Sequence, residues 1–127
     1  MINNETTPAL TLYGIKNCDT VRKARRYLED QGIAFRFHDY RADGIDSNRL
    51  SAFVDVLGFE TLLNKRGTTW RKLPEEVRDT VQDNASAIRV MLEHPAVIKR
   101  PLLSAANGQL LAGFSPSTYL TFIQENA

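Results

Sequence analysis

The chain has 127 residues, 43% of them hydrophobic and 24% charged, with a formal net charge of +1. That length suits one domain with a real core, and the balance excludes a fibre or a disordered tail. A net charge so close to zero gives no global reason to bind nucleic acid or an anionic membrane, so neither is expected as a partner. No apolar run has the length of a membrane span, and "MINNETTPAL" lacks the basic start and apolar core of a signal peptide. A cytoplasmic protein in a reducing compartment is expected.

In chain order, "ALTLYGI" alternates Leu10, Leu12 and Ile15 and predicts a first strand. From Cys18 the pattern turns helical, with Val21, Ala24, Leu28 and Gln31 on one side and Gly32 as the stop. Arg22, Arg25, Arg26 and Glu29 fall mainly on the outer side. "IAFRFHDY" alternates Phe35 and Phe37 with Arg36 and His38, a second strand. Strand, helix and strand make a βαβ unit with parallel strands.

The middle of the chain reads as helical. Asp46 or Ser47 caps a helix whose Leu50, Phe53, Val54 and Leu57 share a face and which ends at Gly58. "ETLLNKRGTTWRKL" predicts a short helical turn and then a loop opened by Gly67. Pro74 suits the first turn of a helix anchored by Val77 and Val81. Asn84 is the expected cap of another, with Ile88, Met91 and Leu92 inward and His94-Pro95 at its end. In "PLLSAANGQLLAGF", Asn107-Gly108 between two apolar runs is a strong hairpin signal. Ser115-Pro116 then starts a last helix carrying Tyr119, Leu120 and Ile123. The prediction is an α/β domain over residues 9–126, with one mixed sheet, a helical insertion from about 46 to 94, and a tail at 1–8.

Cys18 is the only cysteine in the chain, so an internal disulfide is impossible. It is either a small apolar filler or a reactive group. Its place at a strand-to-helix turn of a βαβ unit, where ligands meet α/β sheets, favours the reactive reading. Unpaired N–H groups at residues 19 to 21 and the positive end of the helix dipole stabilise a thiolate there. Lys16 and Arg22 add cations, whereas Asp19 is expected to bond the helix N-terminus and face solvent. An anionic substrate also needs fixed cations, and Lys65, Arg66, Lys99 and Arg100 are the candidates. Arg100 stands out because it precedes Pro101 at a strand entry, a place for a cis bond that turns backbone groups toward a site. His38 alternates outward on its strand, and His94 reads as a helix-end charge. Two separated histidines and one cysteine make a poor zinc set, so no metal is expected.

"YGIKNCDTVRKA", "LLNKRGTTWRKL", "EHPAVIKRPLL" and "GFSPSTY", in this order and spacing, resemble the arsenate reductase (ArsC) family. The likeness is greatest to its YffB-like branch, with the Spx transcription regulators as cousins. The resemblance implies a thioredoxin-like fold with a helical insertion, and it puts the family's nucleophile on Cys18. It also puts the arginine of the "N-R-P" motif on Arg100 and the cis proline on Pro101. The pattern departs elsewhere. Asn64, then Lys65 and Arg66, replace the arginine after "LL", and Gly113-Phe114-Ser115 offer no third one. Gly14 stands for a histidine, and Val21 for both a serine and the second cysteine of the Spx C-x-x-C switch.

A doubly charged arsenate needs several charge-assisted donors, whereas two or three cations suit the carboxylates of glutathione. The expected activity is therefore a monothiol, glutathione-dependent thiol–disulfide oxidoreductase. Cys18 is its nucleophile, and Asn17, Thr20, Lys65, Arg66, Arg100 and Pro101 hold substrate or glutathione. No tightly bound cofactor is expected; glutathione is the co-substrate, and glutaredoxin or a protein thiol are the further partners of an expected monomer. Two alternatives stay open: an arsenate reductase using glutathione and glutaredoxin, and a non-enzymatic Spx-like regulatory module.

Overall fold

The structure, a computed structural model, describes residues 9 to 126; the tail expected at 1–8 lies outside them. The described chain forms two compact units. One runs up to Asp39 and resumes at Arg100, and the other is Tyr40–Lys99.

The first unit holds the sheet. Strand β1 (Leu10–Gly14), helix α1 (Asp19–Asp30) and strand β2 (Phe35–Asp39) form the βαβ unit, with Leu10 opposite Phe35 and Gly14 opposite Asp39 in parallel register. After the insertion, β3 (Leu102–Ser104) runs antiparallel to β1, and β4 (Leu110–Ala112) antiparallel to β3. The strand order β2-β1-β3-β4 gives the mixed thioredoxin-like sheet that the resemblance implies. The hairpin turns where Asn107-Gly108 predicts it. Gly108 has φ +90°, a conformation that side-chain-bearing residues rarely adopt, and its N–H donates to the Ala105 carbonyl.

Period sets what each element buries. α1 turns Val21, Ala24 and Leu28 inward, three residues whose 3.6-residue spacing forms one stripe, while Gln31 is exposed at the C-cap rather than on that stripe. The final helix α7 is Pro116–Asn126, and the Ser115 hydroxyl caps it by accepting from the Thr118 N–H at 3.2 Å. Tyr119 and Phe122 are its buried residues, and Leu120 is exposed. These side chains close a core with Leu10, Leu12, Leu103 and Ala105.

The second unit is helical, with the exception of one isolated bridge. Helix α2 (Ser47–Leu57) is capped by Asp46, whose carboxylate accepts from Arg49 N–H at 2.8 Å, and stops at Gly58. Short helices α3 (Phe59–Leu62), α4 (Thr68–Lys72) and α5 (Glu75–Arg78) follow. The stretch expected to be a loop after Gly67 is thus helix α4, with Gly67 as its N-cap and Trp70 buried. Pro74 is the N-cap of α5 rather than its first residue, and none of that helix's residues is fully buried.

Helix α6 (Asn84–Glu93) is capped by Asp83, not Asn84, and buries Ala87, Val90 and Met91, with Leu92 exposed. It packs against α2 and leads through a 3-10 turn at Pro95–Val97 to Lys99. The bridge pairs Leu63 with Ile98, flanked by Asn64 N–H to Val97 carbonyl and Lys99 N–H to Leu62 carbonyl bonds. The Tyr40 hydroxyl donates to the Lys99 carbonyl at 3.2 Å, tying together the first and last residues of the unit.

Candidate functional site

β1 delivers the chain to the thiol. After Gly14 a turn forms in which the Cys18 N–H donates to the Ile15 carbonyl at 3.2 Å, and α1 begins at Asp19. Cys18 is therefore the N-cap residue of α1, with extended φ −103° and ψ 127°, and its side chain is half-buried. The first intrahelical bond runs from Arg22 N–H to the Cys18 carbonyl at 3.0 Å. The three N–H groups before it belong to Asp19, Thr20 and Val21, and no side chain caps them. A cysteine stands where a serine, threonine or aspartate normally accepts such bonds.

Topology assembles the rest. Because β3 runs antiparallel to β1 with Tyr13 opposite Leu102, the exit of β1 and the entry of β3 lie at one end of the sheet. Asn17, Cys18 and Thr20 on one side and Arg100 and Pro101 on the other thus share that end, and the Arg100–Pro101 peptide is cis. Arg100 is half-buried, with its Nε atom shut off from solvent. Asn17 and Thr20 are exposed. The Gly113 N–H donates to the Pro101 carbonyl at 2.9 Å, which brings Gly113, Phe114 and Ser115 to the same end without a cation. Lys65 and Arg66 belong to the second unit, where both are exposed and Lys65 Nζ lies 5.7 Å from the Trp70 ring centroid.

Asp39 was not singled out by its sequence pattern, yet it is the buried charged residue of the described chain. Its Oδ2 accepts the Lys16 N–H at 2.9 Å and fixes the turn that carries Cys18. The available signal was its register: Asp39 follows Phe35 and Phe37 at period two. His38 does not point out into solvent as its alternation suggests. It is half-buried, and its ring lies 5.0 Å from that of its cross-strand partner Tyr13.

Asp19 faces solvent, as expected, but its carboxylate takes the Arg22 guanidinium rather than the helix N-terminus. Such an exposed pair contributes little to stability. Behind the thiol, Val21 is fully buried against Gly14, so the two positions that depart from the family pattern share one space.

A thioredoxin-like sheet with a cysteine heading its first helix and a cis proline opening the third strand defines the class. The model of the ArsC family matches residues 13–122, and the chain belongs to that family. An uncharacterized protein of Haemophilus influenzae is 46% identical over 110 residues, covering 87% of this chain and 95% of its own. A solved YffB protein superposes with a TM-score of 0.82 at 46% identity, covering 88% of this chain and 96% of that one. The global transcriptional regulator Spx of Enterococcus faecalis is 25% identical over 117 residues, covering 90% and 86%. An arsenate reductase of Neisseria meningitidis is 25% identical over 109 residues, covering 84% and 91%. Among the described residues no helix is long and apolar enough to cross a membrane.

Proposed function

We propose that the protein is a monothiol, glutathione-dependent thiol–disulfide oxidoreductase. The observation that carries this reading is the uncapped start of α1. The N–H groups of Asp19, Thr20 and Val21 carry no side-chain cap, and Cys18 is the N-cap residue beside them. They favour a thiolate as nucleophile and as leaving group. In the first step the Cys18 thiolate attacks the glutathione sulfur of a mixed disulfide. The Cys18–glutathione bond forms, the old disulfide breaks, and the other thiol leaves as thiolate. A second glutathione thiolate then attacks the Cys18-bound glutathione, releasing glutathione disulfide and restoring Cys18. Across both steps, the mixed disulfide and one free glutathione become the free substrate thiol and glutathione disulfide, and no second protein cysteine is needed.

Arg100 is the cation that topology puts beside the thiol turn, and it pairs with a glutathione carboxylate. Asn17, Thr20 and Pro101 line the same end, and Lys65 and Arg66 are further candidate cations for glutathione. Arsenate fits less well, because Gly113 to Ser115 supply no donor side chain comparable to an arginine.

The test is turnover of hydroxyethyl disulfide with glutathione. Cys18→Ser abolishes it with the fold intact, and Arg100→Ala raises the KM for glutathione by an amount equivalent to about 1–3 kcal/mol. Turnover that survives Cys18→Ser removes this thiol from the chemistry. Arsenate reduction with glutathione and glutaredoxin that outpaces disulfide turnover makes the protein an arsenate reductase instead.

A further inference from the structure

Helix α1 presents two opposite faces. Val21, Ala24 and Leu28 are buried, and the opposite side carries Asp19, Arg22, Lys23 and Arg26, spaced as i, i+3, i+4 and i+7. These four exposed residues line a shallow hollow of about 290 Å³. Arg22 is paired with Asp19, whereas Lys23 and Arg26 make no ion pair among the described residues. Three cations against one carboxylate give the lining of the hollow a charge of +2, with Glu29 and Asp30 lying beyond it in the last turn. Neighbouring Arg25 is held over the Phe37 ring, 4.3 Å from its centroid.

The helix itself gains little from this arrangement. Its dipole favours acids in the first turn and bases in the last, yet the bases lie in the first two turns and the last turn holds Glu29 and Asp30 without a base. Lys23 and Arg26, placed against the dipole, without an ion pair among the described residues and facing water, are better explained by something they attract. The upstream end of the face, Asp19, adjoins Cys18, and Arg22 lies one turn on, its N–H donating to the Cys18 carbonyl.

We propose that the outward face of α1 is a docking surface for an acidic protein segment that presents a glutathionylated cysteine to Cys18; this rests on the thiol-transfer reading above. Charge complementarity selects the partner. The face carries excess positive charge in a chain of net charge only +1, so the attraction is local and acts on groups that approach the thiol end of α1. A protein segment suits it better than nucleic acid, because Asp19 stands within the face and three cations neutralise few phosphates. The acidic segment lies along Arg22, Lys23 and Arg26, and its mixed disulfide meets the thiolate. The Cys18 sulfur takes the glutathione, and the partner's cysteine leaves as thiolate.

Two measurements test this. The first is binding of fluorescent glutathionylated peptides, one flanked by Asp and Glu and one by Lys, to the full chain carrying Cys18→Ser. At low salt the acidic peptide binds about tenfold more tightly than the basic one, and the gap closes as ionic strength rises. The charge reversal Lys23→Glu/Arg26→Glu removes the preference, and Lys23→Gln/Arg26→Gln, which adds no new charge, weakens it. Equal binding of the two peptides, or a preference that survives the reversal, overturns the docking surface. So does tighter binding of a single-stranded DNA of matched charge.

The second measurement is turnover of hydroxyethyl disulfide, which offers nothing for this face to hold. The reversed variant keeps the wild-type rate. Wild-type protein that turns over this small disulfide but binds both peptides alike disproves the docking surface alone. Wild-type protein that does not turn it over disproves the thiol-transfer reading, while the binding comparison still decides whether the face attracts acidic segments.

Discussion

A methyl group added at Gly14 would meet Val21 Cγ2 at 2.7 Å and Cγ1 at 3.1 Å. Val21 is fully buried and cannot swing out to solvent, so the strand or helix must shift instead. Gly14→Ala is therefore expected to cost about 1–3 kcal/mol by overpacking, and Val21→Ala to cost a similar amount by leaving a cavity. Together they cost less than their sum, because the valine's loss makes room for the alanine; a double-mutant cycle by chemical denaturation reads the coupling. Additive effects would mean that the two positions do not share this space. The place of Cys18 at the start of α1 and the cis Arg100–Pro101 bond were legible in the sequence because each carries its own local signal, a lone cysteine at a strand-to-helix turn and an X-Pro bond at a strand entry. Asp39 was not, because its role depends on a hydrogen bond to a residue 23 positions away.

Elements were legible where one local signal decided them, and misread where two neighbours competed. Asn84 and Asp83 are both good caps, but only Asp83 has Ser86 three residues on. Ser86 N–H donates to Asp83 Oδ1 at 2.9 Å, its hydroxyl donates to the same oxygen at 2.7 Å, and that hydroxyl accepts the Asp83 N–H at 3.1 Å. The capping box moves the start of α6 by one residue. Inward faces were misread for a related reason. In α6 most positions are apolar or small, so the pattern does not say which stripe the core takes, and Leu92 ends up outside.

The same capping bonds hold the Asp83 carboxyl below its ordinary value of 3.8, first through the Ser86 N–H and then through its hydroxyl. A depressed folded value stabilises the folded state above pH 3.8, and this contribution disappears as pH falls through the lower folded value. Asp83→Ala is expected to lower the thermal midpoint at pH 7, with Asp83→Asn retaining most of it. As pH falls from 3.8 through the lower folded value, the gap between wild type and Asp83→Asn closes. A constant gap across that range would mean that Asp83 does not act through its charge.

For the whole molecule, the order of elements was readable because βαβ, helical insertion, hairpin and helix each announce themselves locally. The assembly of those elements was not, since strand order and register arise from contacts between residues far apart in sequence. Tyr119 shows how much such contacts decide. Read as one apolar position on the last helix, it is a fully buried phenol in the sheet core, with edge-on contacts to Phe114 at 4.8 Å and Tyr27 at 6.1 Å between ring centroids. Its hydroxyl is buried without a hydrogen-bond partner among the described residues. An unmet buried hydroxyl costs stability, so Tyr119→Phe is expected to stabilise the protein by about 1 kcal/mol near neutral pH.

Burial also pushes the Tyr119 pKa above its ordinary 10.0, because the phenolate cannot be solvated in the core. A raised folded value means that the neutral form's contribution is complete below pH 10.0 and is lost as pH rises from there toward the folded value. Denaturation midpoints of wild type and Tyr119→Phe should therefore run parallel from pH 7 to 9 and separate above pH 10, with wild type falling faster. Parallel curves throughout would assign alkaline unfolding to another group. A stabilisation missing at neutral pH but a separation present at high pH would mean that the hydroxyl finds a partner in solution, a bound water being the simplest, while the phenolate remains excluded from the core.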